Sequence, residues 1–295
     1  SSDVCSSDLD GTWNGPTEGV TTSDIDGAAQ TDDAVRDGET NVAKLFRNLQ
    51  GKATGTEGLA NETELRHHDT VGTLMQAAKY IHGVGDSQNP VMKVLGGVFG
   101  AGVVARIIRG YTYLSREYTT GDSIHIVGFS RGAYTARALA GMISSVGLLD
   151  SSRYDTRDKS AAYLRGFAAW LKCKGVVFRG DGKLSGLLNA IIDLAGDAVA
   201  RAALRKGDLI PRVPIKSVGV WDTVGSMGIP NYVKGARSDF FSFVDTQLPS
   251  AVEHGFHAMA LDEQRRDFPV TRWDKDERVE QVWFVGAHAD VGGGY

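Results

Sequence analysis

The stretch that decides the fold is Ser123–Ala140, SIHIVGFSRGAYTARALA. It opens with a β-branched run, Ile124 to Val127, which predicts a short buried strand. The next five residues, GFSRG, fit the pattern G-x-S-x-G, and the alanine-rich residues after Arg131 favour a helix. Strand, sharp turn and helix form the context in which this pattern exposes a nucleophilic serine. The stretch therefore predicts an α/β fold in which Ser130 is the candidate nucleophile.

The turn itself predicts part of an oxyanion site. Gly128 and Gly132 leave room where a Cβ would collide with the neighbouring strand or helix. A helix start aims free N–H groups at an anion beside the serine, so the backbone N–H of Arg131 is the first candidate donor. The second should come from a loop after an adjacent strand, and Gly11 or Thr12 is the candidate. The competing interpretation is an ordinary Gly-Ser turn.

Two later strands supply candidate partners for the serine. Ile215–Trp221 is predicted to be a core strand that ends at Asp222, and Gln281–Val285 is the last clear strand before His288. Ligands of parallel α/β sheets bind at the carboxyl ends of the strands. The order serine, aspartate, histidine is that of α/β-hydrolases. It predicts that His288 accepts the proton of Ser130 while Asp222 orients the imidazole.

Two other residues compete for these roles. His257 lies in Glu253–Asp262, for which a helix is predicted, and a helical histidine beside apolar neighbours favours a packing role. Asp290 is only two residues from His288, too close in sequence to reach the far side of its ring, and is assigned to shaping the loop. An Asp222 that merely caps the next turn is the remaining alternative.

The domain organisation follows from the same pattern. Residues 10–295 are predicted to form one α/β-hydrolase-like domain, with a helical cap or lid inserted at about 150–210. Its strongest helical segment is 184–204, for which an ordinary packing helix is the equal alternative. Residues 1–9 lack the buried strand expected before Asp10 and are interpreted as a leader of non-native origin. The natural chain is expected to continue past its last residue here.

Composition narrows the function classes. The 295 residues are 42% hydrophobic and 23% charged, which is typical of soluble globular proteins. A net charge of −4 gives no indication of nucleic-acid binding. Cys5 and Cys173 lack metal-ligand spacing, and neither a metal nor another cofactor is predicted. No signal peptide is recognisable, and the apolar stretch 91–108 is too glycine-rich for a membrane helix, which predicts a protein that is cytoplasmic on synthesis.

A rival interpretation concerns the beginning of the chain. The sequence Asp8-Leu-Asp10-Gly-Thr resembles the first motif of the haloacid-dehalogenase phosphatases. In those enzymes the first aspartate attacks phosphorus and magnesium lies nearby. The mechanism also needs a later acidic pair after a strand, and Asp32-Asp33 comes too early in the chain. A magnesium-dependent phosphatase that uses Asp8 and Asp10 is therefore kept as the lesser alternative.

Five ordered segments together resemble the α/β-hydrolase domain of bacterial type VI secretion lipase effectors and their uncharacterised relatives in bacteria and fungi. They are Asp10-Gly-Thr-Trp-Asn14, Gly128-Phe-Ser-Arg-Gly-Ala133, Gly219-Val-Trp-Asp-Thr-Val224, Ala258-Met-Ala-Leu-Asp-Glu263 and Gly286-Ala-His-Ala-Asp-Val-Gly-Gly-Gly-Tyr295.

This resemblance implies a phospholipase-type serine hydrolase whose catalytic residues are Ser130, Asp222 and His288. It implies phospholipid acyl esters as substrates, transient contact with a membrane surface, and a secretion-apparatus or immunity protein as partner. It also implies delivery into a target cell by a type VI system. A non-catalytic interaction domain of the same fold is the alternative, and the presence of all three residues argues against it.

Overall fold

A computed structural model describes residues 4–9, 39–55, 62–81, 100–174, 204–205, 207–225, 246–265 and 268–294, with 4–9, 53–55 and 100–102 described by their backbone alone. The described strands are β1 (Val4–Leu9), β2 (Lys52–Gly55), β3 (Glu62–His68), β4 (Leu74–Ile81), β5 (Ser123–Phe129), β6 (Leu148–Leu149), β7 (Leu209–Ile210), β8 (Ile215–Trp221), β9 (Val252–Ala260) and β10 (Val279–Phe284). The described helices are α1 (Asn41–Arg47), α2 (Gly100–Glu117), α3 (Arg131–Val146), α4 (Lys159–Cys173) and α5 (His288–Gly292), and a 3₁₀ turn spans Ser151–Arg153.

Eight of these strands form one sheet in the order β10-β9-β8-β5-β1-β4-β3-β2. The strands from β10 to β4 run parallel to one another, and β3 and β2 continue the sheet in antiparallel pairing. Parallel strands need helical crossovers, which accounts for the alternation of strands and helices along the chain. The predicted α/β architecture is confirmed, with a mainly parallel sheet that is flanked by helices.

Helices cover the sheet on both faces. On one face α2, α3 and α4 build the main core, in which Ile107, Leu139 and Trp170 are fully or almost fully buried. On the other face α1 packs Phe46 against Tyr80, which is part of a smaller cluster. No helix of the described residues is long and apolar enough to cross a membrane.

The predicted insertion at about 150–210 is only partly described. Its helix α4 packs closely on α2: a Cβ built on Gly166 would lie only 2.6 Å from the Thr112 side chain, so there is no room for a larger residue. This part of the insertion therefore belongs to the core. Residues 175–203, which hold most of the candidate lid helix 184–204, lie outside the described residues, and the lid stays a prediction.

Strand β1 corrects one expectation from the sequence. The composition of residues 1–9 predicts a leader without the strand expected before Asp10, yet Val4–Leu9 is a strand that lies between β4 and β5. Half of this segment is polar, so its composition gives no strand signal. Pairing on both sides satisfies its backbone hydrogen bonds, and tertiary context outweighs strand propensity here. The expectation that no strand precedes Asp10 is wrong.

Strand β9 corrects a second expectation. The helix predicted over Glu253–Asp262 is wrong, because Val252–Ala260 is a strand paired with β8 on one side and β10 on the other. Gly255, His257 and Met259 are buried on one face of this strand, whereas Phe256 points to the opposite face and is exposed. Burial therefore alternates with the period of two that defines a strand.

Candidate active site

Ser130 occupies a strained turn between β5 and α3. Its backbone has φ 59° and ψ −121°, a conformation that a residue with a side chain rarely adopts. The turn needs Gly128, because a Cβ built there would lie 2.5 Å from the Gly132 carbonyl oxygen. The Ser130 N–H donates to the Trp221 carbonyl oxygen at 3.1 Å, which ties the turn to the end of β8. This geometry is that of a nucleophile elbow.

Asp222 follows β8 directly and is almost completely buried. Its Oδ2 lies 2.6 Å from Nδ1 of His288, and its Oδ1 accepts the Ala260 N–H at 2.9 Å. Its own N–H donates to the Ala258 carbonyl oxygen at 2.7 Å. Like Ser130, Asp222 has a positive φ, 36°. Two side chains of the candidate site are thus presented from strained backbone at adjacent strand ends.

His288 is the first residue of α5 and lies between two aromatic rings. The centroid of the Phe129 ring lies 4.6 Å from the imidazole centroid at a tilt of 32°, and Phe268 meets the imidazole edge-on at 5.1 Å. A Cβ on Gly292 would collide with the Phe129 ring, so α5 requires glycine there. Because the carboxylate of Asp222 accepts from Nδ1, the lone pair of the neutral imidazole lies on Nε2.

The structure brings the three predicted residues to one edge of the sheet. Phe129, whose ring packs against His288, is the residue directly before Ser130. Trp221, whose carbonyl oxygen accepts from Ser130, is the residue directly before Asp222. Ser130 and Asp222 therefore follow the carboxyl ends of two adjacent parallel strands, where ligands bind in open α/β sheets, and His288 contacts Asp222 there.

Asp290 makes a hydrogen bond at the start of α5. Its Oδ2 accepts the Ala287 N–H at 2.7 Å and so caps the first turn of α5. This places Asp290 in the shape of the loop, and Asp222 is the carboxylate that contacts His288.

The proposed oxyanion donors are described in part. Arg131 is the first residue of α3, and no side chain caps this helix start. Its first-turn N–H groups are thus placed to meet an anion beside the serine. Gly11, Thr12 and Asp10 lie outside the described residues, and so does the side chain of Asp8. Within the described ranges, no group of three or more histidine, cysteine or acidic side chains could hold a metal ion.

Sequence reasoning missed Glu263, which touches the loop of the histidine. Its Oε2 accepts the His288 N–H at 3.3 Å, and its carboxylate forms a bidentate ion pair with Arg265. Hydrogen bonds from the Arg265 guanidinium lower the pKa of Glu263 to about 2. The Arg265 guanidinium in turn lies 3.8 Å from the centroid of the Phe268 ring. The sequence signal for Glu263 is that it ends Ala258–Glu263, one of the five segments that carry the family resemblance.

The sequence predicts a packing role for His257 in a helix, but the structure places His257 in strand β9 beside the site. It is buried, and its Nε2 accepts the Thr223 N–H at 3.1 Å. Burial, and then the positive charge of Arg137, lower the pKa of His257 to about 4. The ring is therefore neutral at pH 7, as the bond from Thr223 requires.

Comparison with known proteins adds a family and distant relatives. A family model described as "T6SS, Phospholipase effector Tle1-like, catalytic domain" matches residues 9–295. An uncharacterized protein of Saccharomyces cerevisiae is 28% identical over 193 residues, which cover 60% of this chain and 22% of that protein.

Two solved structures are similar over 100% of this chain. One, the crystal structure of an uncharacterized protein from Pseudomonas aeruginosa, has a TM-score of 0.48 and 17% identity, with 42% of its chain covered. The other, the Tle1 effector bound to the VgrG spike of the type 6 secretion system, has a TM-score of 0.43 and 16% identity, with 51% covered. The chain thus spans about a fifth of the curated relative and about half of each solved neighbour.

Proposed function

Because this chain belongs to the family of type VI secretion Tle1-like phospholipase effector catalytic domains, we propose that it hydrolyses the acyl esters of phospholipids with Ser130 as nucleophile. The observation that carries the proposal is the 2.6 Å hydrogen bond between Asp222 and His288 beside a serine in an elbow conformation. That combination is the arrangement by which serine hydrolases activate a hydroxyl at neutral pH.

The reaction proceeds in two halves. Nε2 of His288 takes the Ser130 proton as Oγ attacks the ester carbonyl carbon, and the imidazolium then returns that proton to the leaving alcohol. Water attacks the resulting acyl-enzyme with the same imidazole as base, which releases the fatty acid and regenerates the serine. Asp222 holds the Nδ1–H tautomer and stabilises the transient imidazolium. In both halves the Arg131 N–H donates to the oxyanion, with Gly11 or Thr12 as proposed second donor.

Delivery and partners form a separate proposal. We propose that the protein is injected into target cells by a type VI system, in keeping with a family description that names type VI effectors, and that a component of the secretion apparatus and an immunity protein are its protein partners. A similar protein occurs in yeast, so sequence similarity to this chain does not entail bacterial secretion. The hydrolase proposal therefore does not depend on the delivery proposal.

The test measures fatty-acid release from phospholipid vesicles by the wild type, Ser130→Ala and Ser145→Ala. Ser145 lies in the same helix, α3, and is exposed, so it is the matched control. We expect release by the wild type and by Ser145→Ala, and a loss of at least about 10³-fold in Ser130→Ala.

Release should also persist in a chelator, because a Ser-His pair activates its own nucleophile. A folded wild type that releases no fatty acid would support a non-catalytic domain. A chelator-sensitive release of phosphate, restored by magnesium alone, would support the phosphatase alternative at Asp8 and Asp10.

A further inference from the structure

Strand β9 makes three hydrogen bonds to the turn that presents the acid. Two are backbone contacts to Asp222: the Ala258 carbonyl oxygen accepts its N–H, and the Ala260 N–H donates to Oδ1. The third comes from a side chain, because Nε2 of His257 accepts the Thr223 N–H at 3.1 Å. Of these three contacts, only the one made by His257 comes from a side chain of β9 and can be removed by substituting a residue of that strand.

The contact from His257 lies where the strand ladder ends. Strand β8 pairs with β9 up to Trp221, after which Asp222 adopts its positive φ and the chain leaves the sheet. The Thr223 N–H that follows is buried, and a buried N–H needs an acceptor. The imidazole supplies that acceptor and fixes the peptide directly after the acid.

His257 is itself held in one orientation. Its Nδ1 lies 3.4 Å from the Oε1 atom of Gln281, and its ring meets the Trp273 ring edge-on. The Gln281 amide is clamped in turn by the backbone of Trp273, with bonds of 2.9 and 3.0 Å. A proton on Nδ1 and a lone pair on Nε2 satisfy both contacts of the imidazole, and this is the neutral form.

We propose that His257 is a positioning residue for the proposed reaction: by accepting the Thr223 N–H it holds Asp222 with Oδ2 directed at His288. This inference rests on the proposed function, because the proposed function assigns Asp222 and His288 their catalytic roles. It also gives a role to Ala258–Glu263, one of the five segments that carry the family resemblance, because Ala258 and Ala260 bond to the same turn. His257 does not touch the substrate; it acts through Asp222.

Three substitutions of His257 separate the effect of losing the hydrogen-bond acceptor Nε2 from the effect of losing the volume of the imidazole ring. His257→Gln keeps an acceptor near the position of Nε2, His257→Asn keeps a polar group only near Nδ1, and His257→Leu keeps neither. His254→Leu is the control, since His254 is exposed on the same strand. Each variant is assayed for kcat and KM on a soluble short-chain ester, for its melting temperature, and for the downfield proton resonance of the hydrogen bond between Asp222 and His288.

We expect His257→Leu and His257→Asn to lower kcat by about 10- to 100-fold with KM within about twofold, and to lose the downfield resonance. His257→Gln should keep the resonance and recover most of kcat, and His254→Leu should match the wild type. A purely structural histidine would instead lower the melting temperature of all three His257 variants and leave the resonance of the folded fraction in place. If His257→Leu does not fold, the contrast between Gln and Asn decides the question.

The outcomes distinguish this inference from the proposed function. Folded His257→Leu or His257→Asn protein with wild-type kcat and an intact resonance would overturn the positioning role. A second outcome would overturn the proposed function and still support the hydrogen bonds around Asp222. In that outcome the wild type hydrolyses no ester, yet the downfield resonance is lost in His257→Leu and kept in His257→Gln.

Discussion

Asp222 and His288 share one hydrogen bond, yet the protein holds the two residues in different ways. The turn of Asp222 is fixed by three hydrogen bonds from β9, two of them from the strand backbone. The ring of His288 is held by the faces and edges of Phe129 and Phe268. Its backbone N–H donates to Oε2 of Glu263 in a longer hydrogen bond of 3.3 Å.

The difference matches what each group does in the proposed reaction. Hydrogen bonds have narrow distance and angle limits, so they fix the carboxylate that must select one tautomer. Aromatic contacts are weaker and less directional, so they let the imidazole tilt as it moves a proton from the serine to the leaving alcohol. A rigid acid and a more adaptable base therefore divide orientation and proton transfer between them.

The largest effect on kcat should come from a substitution of Asp222, the residue held by hydrogen bonds. Asp222→Asn keeps an acceptor for the Ala260 N–H but favours the wrong tautomer of His288, and kcat should fall by about 10²- to 10⁴-fold. Little change in melting temperature is expected, because the side-chain volume is preserved. Asp290→Asn, in the same helix as His288, is the comparison, and its kcat should fall less. A folded Asp290→Asn that loses more kcat than Asp222→Asn would reverse the assignment of the acid.

The pH dependence of the free energy of unfolding tests the protonation state of His257, which holds the turn of Asp222. His257 has a pKa of about 4 when folded and an ordinary value near 6.5 when unfolded, so only the unfolded chain binds its proton between these values. Stability due to this residue is complete above pH 6.5 and falls by up to about 3 kcal/mol as the pH drops to 4.

Urea unfolding of the wild type and His257→Gln at pH 7 and pH 4.5 measures this difference. The variant should lose less stability than the wild type over that interval, because it lacks the titrating ring. Parallel losses in the two proteins would mean that His257 is not buried as a neutral imidazole.

On the adaptable side, Phe268→Leu removes the edge contact to the imidazole and keeps the bond from Nδ1 to Asp222. We expect kcat to fall by about fivefold, since one edge-to-face contact contributes about 1 kcal/mol. Phe256→Leu is the control, because Phe256 is exposed on the far face of β9. A loss as large as that of Asp222→Asn would show that ring packing, and not the carboxylate, dominates the orientation of the base.

The smallest effect is expected at Glu263. Its lowered pKa means that the charged carboxylate stabilises the fold above pH 4.5, and that this contribution fades as the pH falls towards 2. Since Arg265 is about half exposed, solvent screening reduces the contribution to about 1 kcal/mol. Glu263→Gln should therefore lower the melting temperature by about 2–4 °C at pH 7 and by nothing near pH 2. An equal loss at both values would exclude the ion pair as its cause.

The sequence predicted what is local and periodic in this molecule. The elbow at Ser130 is a strand, a turn and a helix in direct succession, and β8 and β10 bring Asp222 and His288 to strand ends. In contrast, the spacing of Phe256, Ala260 and Leu261 imitates a helix, while pairing on both sides makes the segment a strand. Contacts such as that between Glu263 and His288 join distant segments through single side chains and leave no periodic signal.

The most direct test of Ser130 as the nucleophile is labelling with a fluorophosphonate probe, followed by digestion and mass spectrometry. We predict one adduct, on the peptide that contains Ser130, which is absent from Ser130→Ala, formed slowly in Asp222→Asn, and unchanged in Ser145→Ala. Folded wild-type protein that forms no adduct, or forms it on another serine, would contradict the assignment of Ser130 as the nucleophile.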